Sequence, residues 1–415
     1  MNRSQIRFLF LNVGHFLDHF FVLVFATVAA LRLTTEWGLS YGALVPYATP
    51  SFIAFGLCAV PAGWLADRWS REGMMVIFFI GIGASALLAG LANSPLQLAL
   101  CLTLVGIFAA IYHPVGLAMI VQGRDKTGVA LAINGVFGNM GVASAALLSG
   151  FLIDTSSWRS AYFVPGAASM VIGGLYLWFV RTDRAAARDA AVVTAGKKAD
   201  TDPISRKRLW RIFGIIFFTT AIGGLIFQST TFTLPKIFDE RLTDLAGTAT
   251  LVGWYAFVVF SVAAMAQLVV GYLLDTYSLR TIFAVVAIAQ ACFFAIMTHL
   301  SGMASLLVAI GFMLAVFGQI PINDVLIGRL ARSEWRSRAY SLRYIVTFSV
   351  SASTVPLVAW IHGVWGFGAL FKLLAAAAVL IFLAVMTLPK ADAALRRKDA
   401  LEHEKERGGE EPASR

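Results

Sequence analysis

The sequence predicts an all-α integral membrane protein with twelve transmembrane helices in two six-helix halves related by a pseudo-two-fold axis along the membrane normal. Of the 415 residues, 59% are hydrophobic and 13% are charged, whereas a soluble domain carries about 25% charged residues. Apolar runs of the roughly 20 residues needed to cross a bilayer recur from Phe8 nearly to Leu388. Lys and Arg are concentrated in every second connection between these runs, and an odd number of spans would break this alternation.

The spacing of glycine, proline and charged residues defines the ends of the predicted spans. The first apolar run is too long, and contains too many ionisable residues, for a cleaved signal peptide. It is therefore counted as span 1. In chain order the twelve spans are residues 8–31, 43–66, 74–92, 96–121, 128–153, 159–180, 209–233, 248–274, 281–299, 303–328, 338–360 and 366–388.

The distribution of basic residues predicts the orientation of the chain. Most Lys and Arg residues lie on the side of the N-terminus, whereas the loops on the opposite side hold Arg32, Arg159, Lys236 and Arg241. The positive-inside rule then predicts a multi-pass protein of the cytoplasmic (inner) membrane with both termini in the cytoplasm. The formal net charge of +10 thus reflects membrane topology, and no nucleic acid partner is expected.

A polar, basic segment at residues 181–208 divides the chain. It predicts a cytoplasmic linker between an N-terminal six-helix bundle at 1–180 and a C-terminal six-helix bundle at 209–390, followed by a charged cytoplasmic tail at 391–415. The turn GWLADRWSR after span 2 recurs in weaker form as GYLLD after span 8. The repeat indicates that one six-span unit was duplicated, which gives two parallel halves.

The GWLADRWSR turn resembles the signature loop of the major facilitator superfamily, and its second copy lies where that superfamily has one. The resemblance implies a transporter that works by alternating access. It also implies that the turns close the cytoplasmic side when the protein opens outward. The residues expected to control this gating are Gly63, Asp67, Arg68, Arg71, Gly271 and Asp275.

Three further stretches are similar to the fosmidomycin-resistance type of exporter within that superfamily. They are GHFLD in span 1, IYHPVG in span 4 and VFGNMGVASA in span 5. The similarity implies export of a small organic compound. Val115 stands where that type of exporter has a carboxylate directly after the His-Pro pair.

Span 1 carries a polar stripe within an otherwise apolar helix. Asn12, His15, Asp18 and His19 fall on one face at 3.6 residues per turn. An ionised aspartate in mid-span costs about 2.5 to 3.5 kcal/mol, so it normally faces a wet cavity or a partner. We expect His15 and His19 to be such partners and the three ionisable groups to carry protons. The alternative is that Asp18 only holds helices together and never changes its protonation.

Ionisable residues in spans 4 and 10 are further candidates for proton coupling. His113 precedes Pro114, which places an imidazole beside a helix kink. It acts either as a proton relay or as an ordinary packing residue. Asp324 provides a second intramembrane carboxylate, or lies close enough to the cytoplasm to pair with Arg329 or Arg343.

Polar side chains from several spans predict a substrate cavity near the bilayer midplane. Asn139 is preferred to Asn134, because the exporter motif has an asparagine there and the two residues differ by about 140° around a helix. Arg343 and Lys372 could attract an anionic substrate or extend to the membrane interface. The predicted cavity residues are Asn12, Tyr112, Asn139, Gln228, Gln267, Gln319, Asn323 and Arg343.

The motifs that are missing narrow the function. The sequence contains no nucleotide-binding glycine-rich loop, no metal-ligand spacing and no nucleophile elbow. We therefore expect no enzyme activity, no cofactor and no metal. The prediction is a monomeric secondary transporter whose partners are protons, a small-molecule substrate and the bilayer, and which exports its substrate. The alternatives are an uptake symporter for an organic anion or sugar, and a non-transporting membrane sensor.

Overall fold

The structure is a computed structural model that describes residues 2–122, 127–186, 206–330 and 333–388. The side chains of residues 183–186, 206–213, 324, 327–330 and 333–345 lie outside this description. All regular secondary structure in the described ranges is helical. Eleven helical segments there are long and apolar enough to cross a membrane. Most of the predicted linker and the whole predicted tail lie outside the described residues.

Spans 1 to 6 form the N-terminal half. Span 1 begins with a capping box, in which the Asn2 side chain accepts from the Gln5 amide and the Gln5 side chain accepts from the Asn2 amide. Ser70 caps span 3 by accepting from the Gly73 amide. The bounds are Arg3–Val28, Ala29–Leu33 and Thr34–Trp37 (span 1), Tyr41–Leu44, Val45–Ala48 and Thr49–Arg68 (span 2), Arg71–Gly90 (span 3), Pro95–Ala109, Tyr112–Gly116 and Leu117–Val121 (span 4), Gly128–Thr155 (span 5) and Ser160–Ala186 (span 6).

Spans 7 to 12 form the C-terminal half. The bounds are Arg206–Arg241 (span 7), Ala249–Thr276 (span 8), Leu279–Met297 (span 9), Gly302–Leu330 (span 10) and Ser333–Met386 (spans 11 and 12). The membrane part of the last segment, Val346–Met386, has 41 residues, about twice the length that one crossing needs. Gly366 divides it with φ 72° and ψ −180°. The eleven segments therefore contain the twelve predicted spans, and the loop predicted at 361–365 is replaced by a single non-helical glycine.

The two halves meet closely on one side of the membrane. We call the side that holds Asn2 and Gln122 the terminal side, and the opposite side, where spans 1 and 2 connect, the distal side. On the distal side, a Cβ atom added to Gly150 of span 5 would lie 2.2 Å from the Ala249 carbonyl oxygen of span 8. A Cβ added to Gly42 of span 2 would lie 2.9 Å from the Ala359 carbonyl oxygen of span 11. Glycine lets these backbones approach, as small residues do between membrane helices.

Aromatic rings fill the space between the halves. Phe232 of span 7 lies 6.5 Å from Phe25 of span 1 and 6.0 Å from Phe52 of span 2, between ring centroids. All three rings are buried. Phe55 of span 2 contacts Phe348 of span 11 with a centroid distance of 4.8 Å. These contacts join spans 1 and 2 to spans 7 and 11 by apolar packing.

Candidate functional site

The ionisable groups of spans 1 and 4 come together inside the N-terminal half. The Oδ2 atom of Asp18 lies 3.3 Å from Nε2 of His113. The Asp18 side chain is 1% exposed and that of His113 is 19% exposed. The buried carboxylate of Asp18 therefore contacts an imidazole, that of His113, which is partly accessible to solvent. The sequence predicts His15 and His19 as the partners of Asp18, but its ion-pair partner is His113 of another span.

His15 is held in a fixed orientation by three contacts. Its Nδ1 atom lies 2.8 Å from the backbone carbonyl oxygen of Asn134, so Nδ1 carries a proton and donates it. Its ring stacks on Tyr112 at a centroid distance of 4.9 Å. Its Nε2 atom lies 3.1 Å from Nε2 of His19. In the neutral ring the lone pair of His15 is then on Nε2 and accepts from His19.

Asn134 of span 5 is the centre of the hydrogen bonds around His15. Its Nδ2 atom donates to Oδ1 of Asn12 at 3.0 Å and to the Tyr112 hydroxyl at 2.8 Å. The Tyr112 hydroxyl donates in turn to the Leu11 carbonyl oxygen at 2.8 Å. Asn134 is fully buried, whereas Asn139 is half-buried. Asn134 therefore holds His15 in place, a role that the sequence does not indicate, and substrate contact by Asn139 stays a prediction.

Asn12 and Tyr112 are buried, and they line neither of the two cavities described below. Their side chains are 3% and 0% exposed, and both are engaged by Asn134. Their contact with substrate stays a prediction. They act as packing and hydrogen-bonding supports behind His15, because a buried polar group is stable only when it is paired.

A π-helical turn positions His113. Span 4 is α-helical over Pro95–Ala109, π-helical over Tyr112–Gly116 and α-helical again over Leu117–Val121. Pro114 has no amide hydrogen, so it cannot complete the α-helical ladder, and a π turn accommodates the interruption. The α-helix of span 4 is thus interrupted around Pro114, where the sequence predicts a kink. The turn places the neighbouring side chains of Tyr112 and His113 against span 1.

Gly138 of span 5 gives the His15 ring its space. A Cβ atom at Gly138 would lie 2.7 Å from both Cε1 and Nε2 of His15, and the ring cannot swing away without losing its bond to Asn134. We expect Gly138→Ala to lower the free energy of unfolding by about 1 to 3 kcal/mol, the usual cost of overpacking. Thermal unfolding of the purified protein in detergent measures this loss.

Gly135→Ala is the matched control for this substitution. Gly135 lies one turn away on the same helix, and nothing is within 4 Å of a Cβ atom there. Its melting temperature should equal or exceed that of the wild type, because alanine favours a helix. Equal melting temperatures for the two alanine variants would show that the His15 ring is not confined as described.

Buried amides of the C-terminal half form a second polar region. Gln290 of span 9 donates through Nε2 to Oε1 of Gln319 at 2.9 Å and to the Ala315 carbonyl oxygen at 3.2 Å. Gln290 is absent from the predicted site, although it is fully buried. The Nε2 atoms of Gln228, Gln267 and Gln319 and the Oδ1 atom of Asn323 have no hydrogen-bond partner among the described residues.

Two cavities of similar size are lined by residues of spans 1 and 4 and of spans 2 and 11, respectively. One of about 590 Å³ lies on the terminal side between the start of span 1 and the end of span 4. The other, about 580 Å³, lies between spans 2 and 11, and its wall includes Phe52, Gly56, Phe348 and Pro356. Of the predicted cavity residues whose side chains are described, none lines either cavity. The side chains of Asp324 and Arg343 lie outside the described residues.

Asp67, Arg68 and Arg71 of the signature turn after span 2 contact residues of the N-terminal half. Nη2 of Arg71 donates to Oδ1 of Asp67 at 2.7 Å, and the Arg68 guanidinium lies over the Trp64 ring at 4.7 Å. A Cβ atom at Gly63 would lie 3.2 Å from Cβ of Pro114, whereas one at Gly271 would meet nothing within 4 Å. The two copies of the turn thus differ: only the glycine of the first allows a close approach. The gating role of the six turn residues, Asp275 included, stays a prediction.

The distal side contains polar contacts between the halves that the sequence does not indicate. Asp154 at the end of span 5 accepts from the Thr250 amide at 2.7 Å, from the Ala249 amide at 3.3 Å and from the Thr250 hydroxyl. A carboxylate at a helix N-terminus is favoured by the helix dipole. Asp154 therefore binds the N-terminus of span 8 and holds the halves together.

A second distal contact joins Glu240 and His362. The Oε1 atom of Glu240 lies 2.9 Å from Nε2 of His362. The His362 ring contacts Tyr41 of span 2 at a centroid distance of 5.2 Å. Lys236 lies over the same tyrosine at 5.9 Å. Spans 2, 7 and 11 are thereby joined on the distal side, so this conformation is closed there.

Two parallel six-helix halves with buried ionisable groups and an interface closed on one side form the architecture of a secondary transporter. The profile of the Major Facilitator Superfamily matches residues 11–243 and 237–412. The chain belongs to this superfamily, whose members are transporters and not enzymes.

Curated relatives with partial similarity include transporters of different kinds. The gallate transporter of Pseudomonas putida is 27% identical over 165 residues, which cover 39% of this chain and 36% of the relative. The puromycin resistance protein pur8 of Streptomyces alboniger is 30% identical over 122 residues, 29% of this chain and 24% of the relative. The multidrug resistance protein MdtG of Citrobacter koseri is 24% identical over 216 residues, 50% of this chain and 49% of the relative. The chain thus spans half or less of these relatives in each match.

Solved structures with the same fold cover nearly the whole chain. A bacterial homologue of the human lysosomal transporter Spinster, in an inward-facing and unoccupied conformation, has a TM-score of 0.67 and 15% identity, and covers 93% of this chain and 98% of its own. A D-xylose-proton symporter has a TM-score of 0.70 and 13% identity, with coverage of 93% and 98%. At these identities the similarity concerns the fold.

Proposed function

We propose that this chain is a proton-coupled secondary transporter of the cytoplasmic membrane that exports a small organic compound by alternating access. The ion pair between Asp18 and His113 is the observation that carries the proposal. A carboxylate buried in a membrane segment is costly, and its contact with an imidazole gives it a group with which to exchange a proton. His15 and His19 extend this arrangement to four ionisable groups within one half.

The proposed orientation places both termini and the terminal side in the cytoplasm. The closed distal side then faces outward, and this conformation is open to the cytoplasm. In the opposite conformation the contacts of Asp154 and Glu240 break. Gly63, Asp67, Arg68 and Arg71, with Gly271 and Asp275, then close the cytoplasmic side. The distal contacts must be weak, because a carrier keeps its two states within a few kcal/mol of each other.

The cavity of about 580 Å³ between spans 2 and 11 supports a small organic substrate, since ligand sites usually measure about 300 to 1,000 Å³. Its apolar wall favours a compound with an aromatic or aliphatic body. The similarity to a puromycin resistance protein and to a multidrug resistance protein supports export. We further propose that the transporter is a monomer in the bilayer.

Uptake of an aromatic acid by proton symport is the second candidate. It is favoured by the similarity to the gallate transporter and to the 4-hydroxybenzoate transporter PcaK of Pseudomonas putida, which is 24% identical over 158 residues. A symporter would bind the acid from the outside and move it inward with protons. It would use the same Asp18 and His113 pair.

Vesicle orientation distinguishes export from uptake. Inverted membrane vesicles with an acidic interior should accumulate labelled puromycin or a related drug if the protein is an exporter that exchanges protons for substrate. Right-side-out vesicles in an acidic medium should accumulate labelled gallate or 4-hydroxybenzoate if it is a symporter. Vesicles from cells without the protein are the control. Accumulation in neither orientation, across both groups of compounds, would contradict both proposals for these substrates.

A further inference from the structure

Three of the six histidines of the chain converge at one point in the N-terminal half. His15 and His19 come from span 1, and His113 comes from the π-helical turn of span 4. One ring nitrogen of each can be chosen so that all three lie within 4.8 Å of one another. No metal site is expected from the sequence, although His15 and His19 lie four residues apart on one helix face, a spacing that metal-binding histidine pairs use. The third imidazole reaches the group only through tertiary folding.

The orientation of His15 is typical of a metal ligand. Its Nδ1 atom donates to the Asn134 carbonyl oxygen at 2.8 Å. Metal-binding histidines almost always donate their second nitrogen to such a group, which fixes the tautomer and aims the other lone pair at the metal. The free lone pair of His15 is on Nε2, which points toward His19. Stacking on Tyr112 holds the ring in this position.

Asp18 provides a fourth ligand beside the histidines. Its Oδ2 atom lies 3.3 Å from Nε2 of His113, and its Oδ1 atom has no hydrogen-bond partner among the described residues. The carboxylate is 1% exposed. A cation bound to Oδ2 between Asp18 and the rings would balance a buried charge, which otherwise costs free energy.

The observed spacings suit tetrahedral coordination. With Zn–N bonds of about 2.0 to 2.1 Å, neighbouring ligand atoms of a tetrahedral site are about 3.3 Å apart. The His15 to His19 separation of 3.1 Å and the His113 to Asp18 separation of 3.3 Å correspond to two such edges. The longest nitrogen separation, within 4.8 Å, must shorten on binding. His19 and His113 are only partly buried, and rotation of their rings would shorten this separation.

We propose that His15, His19, His113 and Asp18 bind one divalent transition-metal cation of the Zn²⁺ class, with the histidine nitrogens and one aspartate oxygen as ligands. Imidazole with a single carboxylate suits Zn²⁺, Ni²⁺ and Co²⁺, whereas Mg²⁺ and Ca²⁺ prefer sites made of oxygen. The ion takes the place of the proton shared by His15 and His19. It also replaces the direct contact between His113 and Asp18. Metal and protons therefore compete for the same groups, and bound Zn²⁺ inhibits proton-coupled transport.

Direct binding of the metal alone tests the site without any transport measurement. The full chain, purified in detergent without a polyhistidine tag, should bind about one Zn²⁺ per molecule in equilibrium dialysis. Binding should weaken as the pH falls, because protons compete for the imidazoles. Co²⁺ should give the intense visible absorption of a tetrahedral site. Absence of stoichiometric Zn²⁺ binding to the wild type would overturn the proposal, and it would leave the proposed transport function untouched.

Variants assign the binding to these residues. His19→Asn and His113→Asn should each weaken Zn²⁺ binding by at least about tenfold and abolish the Co²⁺ spectrum. Asp18→Asn should weaken Zn²⁺ binding while the chain keeps its fold. His299→Asn, which changes an exposed histidine on the distal side, is the matched control and should bind as the wild type does. Size-exclusion chromatography and thermal unfolding establish that each variant is folded.

Two results with folded variants would contradict the assignment. One is full Zn²⁺ binding by both His19→Asn and His113→Asn. The other is an equal loss of binding in His299→Asn, which would indicate adventitious binding at surface histidines. If one cluster variant does not fold, the other cluster variant and Asp18→Asn decide the question.

Discussion

Replacement of Asp18 with asparagine will reduce proton-driven net transport to the background of protein-free liposomes. Asparagine has nearly the same shape but carries no ionisable proton, so the contact with His113 can no longer take up and release one. The variant should fold, because it removes a buried charge that costs about 2.5 to 3.5 kcal/mol in mid-membrane. Net flux of substrate driven by a pH gradient in proteoliposomes measures the effect.

Exchange without net proton movement gives this prediction a second readout. Asp18→Asn imitates a permanently protonated aspartate. In the proposed exporter, where proton and substrate bind in turn, exchange of labelled for unlabelled substrate at equal pH should also be lost, whereas in a symporter, where they bind together, it should continue. Asp244→Asn, which changes an exposed aspartate in the loop after span 7, should transport as the wild type does. Net flux of Asp18→Asn with the pH dependence of the wild type would show that the aspartate only holds helices together.

The location of the spans could be predicted from the sequence because the bilayer imposes it locally. A segment that crosses about 30 Å of hydrocarbon must itself be apolar over about 20 residues, whatever its neighbours are. The break between spans 11 and 12 was harder to place, since Gly366 alone makes it by adopting a positive φ. A helix that resumes at once leaves no polar loop for the sequence to display.

The partners of the polar residues could not be predicted in the same way. The periodicity of span 1 gives His15, Asp18 and His19 a common face, but it does not say which neighbouring helix meets that face. The π-helical turn in span 4 brings His113 to Asp18, so a tertiary contact replaces the local pairs expected from the spacing. Asn134 acquires its role for the same reason, since the rotation of span 5 about its axis is set by packing.

The distal contacts between the halves could not be predicted from the sequence, because each of them pairs a group from one half with a group from the other. Asp154 looks like an ordinary helix-end aspartate in the sequence. Its significance comes from the N-terminus of span 8, whose amides it accepts. Close approach of the same two helices depends on Gly150 and Gly253, and a Cβ atom at Gly253 would lie 2.6 Å from the Ala146 carbonyl oxygen. Glycines in membrane helices are common, so only the structure identifies which of them join the halves.

Substitution of Gly150 with leucine should prevent the halves from closing on the distal side. Any Cβ atom at this position meets the backbone of Ala249 at 2.2 Å, and backbone atoms cannot rotate away as a side chain can. The closed distal conformation becomes inaccessible, and the population moves toward the conformation that is open there. Since alternating access needs both conformations, transport should be lost although the chain still folds within each half.

Spin labels at Ser156 and Thr243, both exposed on the distal side, can follow the separation of the halves by pulsed electron resonance. In Gly150→Leu the distance distribution should move to longer values and lose its short component. Gly174→Leu is the matched control, because nothing lies within 4 Å of a Cβ atom at that glycine of span 6. A wild-type distribution and wild-type transport in Gly150→Leu would mean that spans 5 and 8 do not approach as closely as described. In that case the distal closure would have to depend on Glu240 and His362, and substitution of those two residues would be expected to open it instead.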